Sequence, residues 1–215
     1  MSHTLAALSA ALPLMSGWSV HSLWMRRRIE AARRDPLSGL LTRDGFTERA
    51  ERWLGHRPRA VCLIDLNKFK QINDTYGHAA GDAVIRAAGE RLSKWAIDNS
   101  AVVGRLGGDE FAAVAPAYSQ GQLTATLNSL ITYLEQQVEA EGHVLTVSAS
   151  IGAAVCNPRA DQTDLSELLR LADEQMYRAK QRGGGWRIAQ RLSVPATGTV
   201  NGRRDGRRGT SGEAA

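Results

Sequence analysis

Two adjacent carboxylates, Asp109 and Glu110, follow a Gly107-Gly108 pair between two apolar stretches, residues 101–106 and 111–115. Apolar stretches joined by a Gly-Gly pair are typical of a β-hairpin. A turn without side chains lets a ligand approach the backbone closely. Two carboxylates beside such a turn could hold a hard divalent cation, which prefers oxygen ligands. A plain hairpin with a solvated acidic tip would have the same sequence, so both interpretations stay open at this point.

A third carboxylate, Asp65, ends a short apolar run at residues 60–64 that predicts a buried strand. Sheets in α/β proteins place ligand-binding groups at the carboxyl ends of their strands. Paired in space with Asp109, Asp65 would complete a carboxylate clamp for Mg²⁺ and a triphosphate. Lys70 could then contact phosphate oxygens as a point charge. The alternatives are that Asp65 caps the next helix and that Lys70 is simply solvated.

Asn73 and Asp82 lie on either side of a Tyr-Gly-His break between two predicted helices. If the two side chains converge, the Asp82 carboxylate can accept hydrogen bonds from the donors of guanine, and the Asn73 amide can donate to its acceptor. Each residue also has a structural explanation. Asp82 would favour the helix dipole as a first-turn acid, and Asn73 would act as a local cap or turn residue.

Taken in order along the chain, these motifs resemble those of the GGDEF-domain diguanylate cyclases. The resemblance covers about residues 35–188, and its specificity lies in the ordered combination, because each motif alone is weak. It implies an α/β fold, a palm-like sandwich with a mixed central β-sheet flanked by helices, as in other nucleotidyl cyclase-like domains. The matching segments are residues 35–40, 65–70, 73–74, 76–78, 81–82, 105–111, 150–152, 172–173, 176–177 and 179–180.

The resemblance implies an enzyme that joins two GTP molecules into cyclic di-GMP, releases two pyrophosphates and forms its active site across a homodimer. The product would then act on downstream cyclic di-GMP receptors. Mg²⁺ or Mn²⁺ would be bound by Asp65, Asp109 and the backbone carbonyl of Leu66, with Glu110 supporting metal binding or activation of the attacking 3′-hydroxyl. The resemblance also implies the substrate contacts, in which Asn73 and Asp82 bind guanine. Phosphate would be bound by Lys70, Lys180 and the backbone near Lys68 and Phe69. Gly107 and Gly108 would form the turn against which the nucleotide lies.

Asp82 favours GTP over ATP as the substrate. Family members that accept adenine tend to have a small hydroxyl residue at this position. A carboxylate facing the acceptor edge of adenine would be left unpaired, which is costly in a buried site.

Three departures from the family pattern stand out. The Arg-x-x-Asp product-inhibition site is replaced by residues 98–101, Asp-Asn-Ser-Ala, so we expect no feedback inhibition through it. Gly184 stands where a phosphate-binding Arg is expected, and Arg182 and Arg187 are the candidates to substitute for it. Asn67 and Leu106 replace a common Asp and a common Tyr. Because of Gly184, an alternative remains: a weakly active or inactive GGDEF domain that serves as a GTP-binding or protein-interaction module.

The chain of 215 residues is 43% hydrophobic, which is enough for one sizeable domain with a real core. Its net charge of +5 comes from the two ends of the sequence. A slightly acidic middle between basic ends argues against a broad nucleic-acid surface. Cys62 and Cys156 lie in apolar runs and are expected to be reduced core residues.

We expect four segments: a transmembrane or membrane-associated helix at residues 1–25, a basic connector helix at 26–34, the catalytic domain at 35–190 and a disordered basic tail at 191–215. Residues 4–25 contain no Asp, Glu, Lys or Arg, and three arginines follow. The positive-inside rule then predicts a cytoplasmic catalytic domain anchored in the inner membrane. An amphipathic or packing helix is the alternative.

Periodicity predicts helices over residues 42–54, 68–75, 82–95, 123–140 and 165–182, the first capped by Thr42. It predicts strands over residues 60–64, 101–106, 111–115, 145–155 and 186–188.

Overall fold

The computed structural model describes residues 24–25, 28, 33–55, 57–158 and 164–189. The predicted anchor other than residues 24–25, most of the connector and the basic tail lie outside the described residues. Within the described part, no helix is both long and apolar enough to cross a membrane. The elements are α1 (Arg43–Leu54), β1 (Arg59–Asn67), α2 (Phe69–Tyr76), α3 (His78–Asp98), β2 (Val102–Gly107), β3 (Glu110–Pro116), α4 (Gln120–Leu134), β4 (Val138–Ala140), β5 (His143–Leu145), β6 (Ser148–Cys156), α5 (Leu165–Lys180) and β7 (Gly185–Ile188).

A five-stranded sheet with the order β2-β3-β1-β6-β7 forms the centre of the fold. The central strand β1 pairs antiparallel with β3 and β6, and β7 joins β6 in parallel. This mixed sheet flanked by helices confirms the predicted fold class. In its register, Asp65 lies opposite Glu110 on one side and Ser150 on the other.

The sheet carries a hydrophobic core on each face, because successive side chains of a strand point to opposite sides. Ile64 belongs to the core under α3 and α4, whereas Val61 belongs to the core under α1 and α5. Asp65 follows Ile64 and therefore faces α5. The first core includes Val84, Leu92, Trp95, Leu127 and Leu130, and the second includes Phe46, Ala50, Leu165, Leu168 and Ala172.

Helix α5 lies directly on the backbone of β6 at Gly152. A Cβ atom at this position would lie 1.9 Å from the carbonyl oxygen of Ala172 and 2.3 Å from the amide nitrogen of Met176. Real atoms do not approach so closely, so only glycine permits this packing distance. The close packing brings Lys180, the last residue of α5, to the carboxyl end of β1.

The predicted helix over residues 123–140 is wrong at its carboxyl end. Helix α4 ends at Leu134, and residues 138–145 form the β4–β5 hairpin instead. The guanidinium of Arg91 on α3 accounts for the stop, because it donates to the carbonyls of Leu134, Gln136 and Gln137. Glu139 is exposed between two buried neighbours, an alternation that also fits a strand. Three residues are too few for the sequence to distinguish this alternation from a helical pattern.

Other boundaries also differ from the prediction, most clearly in two segments. The predicted strand over residues 145–155 is divided into β5, ending at Leu145, and β6, beginning at Ser148. Helix α3 begins at His78 rather than near Asp82, because Gly77, with φ of 83°, reverses the chain within a single residue. The cap of α1 is as predicted, since the Thr42 side chain accepts a hydrogen bond from the Gly45 amide.

Candidate active site

The predicted Gly-Gly hairpin connects β2 and β3 and places Asp109 beside the end of β1. Gly107 has φ of 149° and Gly108 has φ of 50°, values that favour glycine. A Cβ atom at either position would have open space around it, so a ligand can approach the turn. The Leu66 amide donates to the Asp109 carbonyl at 3.3 Å and fixes the turn against β1.

Asp65 has its carboxylate paired with the ammonium of Lys180. The Lys180 Nζ lies 2.8 Å from Asp65 Oδ1 and 3.0 Å from Oδ2. The Asp65 side chain is only 10% exposed, whereas that of Lys180 is 48% exposed. The hydrogen bond to Asp65 raises the pKa of Lys180, and the charges of Asp65, Asp109 and Glu110 add to this effect against the opposing effect of burial. Lys180 therefore stays protonated in a locally acidic site.

Asp109 is half-buried, and burial raises its pKa, to which the nearby charge of Asp65 adds. Two carboxylates that repel each other in a partly desolvated site are stabilised by a cation between them. No three His, Cys, Asp or Glu side chains gather into a metal-binding group within the described ranges. A cation bound between Asp65 and Asp109, with a main-chain oxygen such as the Leu66 carbonyl, would have an all-oxygen ligand set that fits Mg²⁺ or Mn²⁺.

Glu110 lies opposite Asp65 in the sheet and is exposed. It lines a cleft of about 250 Å³ between the β2–β3 hairpin and α5, together with Arg43, Leu106, Asp173 and Met176. This position leaves its carboxylate accessible from the side of the hairpin.

Asn73 and Asp82, the predicted guanine-reading pair, come from neighbouring helices that meet at Gly81. The Asn73 side chain packs on Gly81 so closely that a Cβ atom there would lie 1.9 Å from Asn73 Oδ1. Gly81 immediately precedes Asp82, which is exposed. The structure therefore places the Asn73 amide against the residue that precedes Asp82, and it adds Gly81 as a residue that positions Asn73. Sequence reasoning did not identify this role, because it depends on a contact between two helices.

The segment from Lys68 to Lys70 begins α2 directly after β1. Lys68 adopts a left-handed conformation with φ of 59°, and no side chain caps the helix. The amides at a helix start attract anions, which suits the predicted phosphate contacts near Lys68 and Phe69. Lys70 is exposed on the first turn.

Arg105 joins the β2–β3 hairpin to the segment at residues 35–40. Its Nε and Nη2 atoms donate to the Gly108 carbonyl at 3.0 and 2.7 Å, and Nη1 lies 2.9 Å from Asp35 Oδ1. Asp35 also accepts from the amide and hydroxyl of Ser38, both at 2.7 Å. Burial alone would raise the pKa of Asp35, but the hydrogen bonds from Ser38 and Arg105 together lower it. Sequence analysis included Arg105 and Asp35 in the matching motifs but assigned neither residue a role. Their opposite charges were the only sign in the sequence that they could pair.

Gly184 and Asn67, two residues that depart from the family pattern, lie next to each other in the structure. Residues 183–185 are three glycines with φ of 94°, 121° and 85°. A Cβ atom at Gly184 would lie 3.0 Å from Asn67 Nδ2 and 3.2 Å from the Ala149 carbonyl oxygen. Asn67 is itself held by hydrogen bonds with Ser148 and Ser150. An Arg at position 184 would therefore strain both the backbone and this contact.

Residues 98–100 close helix α3. Asp98 accepts a hydrogen bond from the Tyr133 hydroxyl at 2.5 Å, and the Asn99 side chain donates to the Trp95 carbonyl. Ser100 completes the reversal with φ of 48°. The Asn99 side chain thus satisfies a carbonyl at the end of α3, and the Asp98 side chain joins α3 to α4.

The model of the diguanylate cyclase GGDEF domain family matches residues 32–185. An uncharacterized 19.3 kDa protein of Streptomyces ambofaciens is 44% identical over 173 residues, which are 80% of this chain and 90% of that protein. Diguanylate cyclase DosC of Escherichia coli is 36% identical over 159 residues, 69% of this chain but only 33% of its own length. The crystallised GGDEF domain of TpbB (YfiN) from Pseudomonas aeruginosa has a TM-score of 0.64 at 32% identity and covers 73% of this chain and 94% of that domain.

Proposed function

Because this chain belongs to the GGDEF diguanylate cyclase family, we propose that it condenses two molecules of GTP into cyclic di-GMP and two pyrophosphates. The observation that carries this proposal is the convergence of Asp65 and Asp109 at the end of β1, beside an open glycine turn. Residues 35–190 would form the catalytic domain, and the family match over residues 32–185 supports these limits.

In each of two equivalent steps, the 3′-hydroxyl of one GTP attacks the α-phosphorus of the other. A phosphodiester bond forms, the bond between the α-phosphorus and the bridging oxygen breaks, and pyrophosphate leaves. Mg²⁺ or Mn²⁺ bound by Asp65, Asp109 and the Leu66 carbonyl would polarise the α-phosphate and lower the pKa of the attacking hydroxyl. Glu110 is accessible at the same edge and would support the metal or orient the hydroxyl.

The remaining residues would hold and select the substrate. Asn73 and Asp82 would bind the guanine edge, and GTP is favoured because the Asp82 carboxylate would pair with the donors of guanine but face an acceptor edge on adenine. Lys70, Lys180 and the amides at the start of α2 would bind the triphosphate. Each protomer would bind one GTP, so the two reacting nucleotides would meet only in a homodimer.

We also propose that this protein lacks product inhibition and is anchored in a membrane. The sequence Asp-Asn-Ser-Ala at residues 98–101 would leave the protein without an Arg-x-x-Asp inhibition site, and the hydrogen bonds that Asp98 and Asn99 make within the protein support this. Residues 4–25 lack charged side chains and precede three arginines, which supports an anchor in the inner membrane with the catalytic domain in the cytoplasm. Cyclic di-GMP would then act through separate receptors.

Gly184 favours a second candidate, a GTP-binding or interaction module without turnover, because the glycine turn offers no side chain to phosphate. Comparing Asp109→Ala with Glu90→Ala, a change of an exposed acid on α3, tests the enzyme. We expect production of cyclic di-GMP to be lost in the first variant and kept in the second, with both folded by circular dichroism. Wild-type turnover in Asp109→Ala would contradict the metal-binding role.

A further inference from the structure

We propose that Lys180 is an internal counter-ion for Asp65 that is exchanged for a divalent cation when metal and nucleotide bind, an inference that rests on the proposed function. The ammonium faces both carboxylate oxygens, at 2.8 and 3.0 Å. Among the described residues, no other side chain donates a hydrogen bond to the Asp65 carboxylate. Lys180 therefore neutralises the most buried carboxylate of the site.

This pairing has a physical cause. A carboxylate with 10% of its side chain exposed is costly to keep ionised without a cation. Lys180 supplies that cation in the metal-free protein. The same two oxygens are the ones that a divalent metal would use, and two cations at one carboxylate repel each other. Metal binding and the ion pair therefore compete for Asp65.

The two partners differ in how readily they can move. Asp65 is fixed by β1, which is paired on both sides in the middle of the sheet. Lys180 is the last residue of α5, has a half-exposed side chain and precedes a turn of three glycines. Its flexible four-carbon stem can move the ammonium away from Asp65 without moving the helix. The exchange thus requires a change in one side chain.

A triphosphate gives the displaced ammonium a new anionic partner. Metal alone must release Lys180 into solvent, whereas metal with nucleotide transfers it from a carboxylate to phosphate oxygens. The two ligands should therefore bind cooperatively, and removal of the ammonium should affect them in opposite directions. Loss of Lys180 should strengthen binding of metal alone and weaken binding of the nucleotide with metal.

The test measures Mn²⁺ alone by the electron paramagnetic resonance signal of the free ion, using the full chain. We expect Lys180→Met to bind Mn²⁺ roughly five- to tenfold more tightly than the wild type. Lys180→Arg, which keeps a cation beside Asp65, and Lys94→Met, which removes an exposed lysine on α3, should bind like the wild type. Adding Asp65→Asn to Lys180→Met should abolish the gain and so assign it to this carboxylate.

A second measurement uses a GTP analogue with a methylene group between the α- and β-phosphates, titrated calorimetrically at saturating Mn²⁺. We expect Lys180→Met to bind it more weakly than the wild type. Equal or weaker binding of Mn²⁺ alone by a folded Lys180→Met variant would overturn the proposed exchange. If the wild type binds the analogue in that case, the proposed function stands, whereas wild-type protein that fails to bind the analogue contradicts the proposed function itself.

Discussion

The guanidinium of Arg105 lies 2.9 Å from Asp35 and, through two other nitrogens, bonds to the Gly108 carbonyl. The side chains of Arg105 and Asp35 are only 15% and 21% exposed. One residue thus connects the beginning of the described domain to the turn that places Asp109. Arg105 therefore holds the segment at residues 35–40 and the turn next to Asp109 in a fixed relation to each other.

Arg105→Lys should therefore impair both stability and turnover. A lysine keeps the charge but cannot donate to Gly108 and Asp35 in the planar geometry of the guanidinium. We expect a loss of about 1–3 kcal/mol in the free energy of unfolding, measured in urea, and a lower kcat for cyclic di-GMP formation. Arg86→Lys, at an exposed position of α3, serves as the control and should change neither quantity. Equal stability of the two variants would show that the Arg105 contacts do not hold the hairpin.

Asp35 should make the protein sensitive to acid. Its pKa is lowered in the folded state, so its contribution to stability is fully present above the unfolded value of about 4 and is lost as the pH falls through the folded value. We expect the wild type to lose more stability than Asp35→Asn as the pH falls from 5 to about 2. Urea unfolding at several pH values measures this difference, and parallel curves for the two proteins would contradict it.

We expect Asp109 to lower the stability of the folded protein when no metal is bound. Burial and the charge of Asp65 raise its pKa, so its ionised form is disfavoured in the folded protein. At pH 7 without divalent cations, Asp109→Asn should have a higher Tm than the wild type. Mn²⁺ should raise the Tm of the wild type more than that of the variant. A variant that is less stable than the wild type without metal would contradict the repulsion between the two carboxylates.

Gly81 should be essential for guanine recognition. The methyl group of Gly81→Ala would collide with Asn73 Oδ1 and force that side chain out of its present position. We expect weaker GTP binding, by tenfold or more, which is about 1.4 kcal/mol. Gly121→Ala is the matched control on α4, because an added Cβ there meets no atom within 4 Å. Calorimetric titration of GTP compares the two, and unchanged affinity in Gly81→Ala would contradict the assignment of Asn73 to the base.

The parts of the fold that were predictable are those whose signal is local. The strand that carries Asp65 and the hairpin around Gly107 each combine an apolar run with a boundary residue, and both are present, although the strand continues to Asn67. The end of α4 could not be predicted, because it depends on Arg91, which lies more than 40 residues away in the sequence. The roles of Gly81 and Gly152 were equally hidden, since each depends on a close approach between two elements.

The most direct measurement of the central claim is mass spectrometry of the purified full chain incubated with GTP and Mg²⁺. We expect cyclic di-GMP, with two pyrophosphates released per molecule formed. The product would also show that Gly184 is compatible with turnover. A folded, dimeric protein that binds GTP but forms no cyclic di-GMP would contradict the enzyme and favour the binding module.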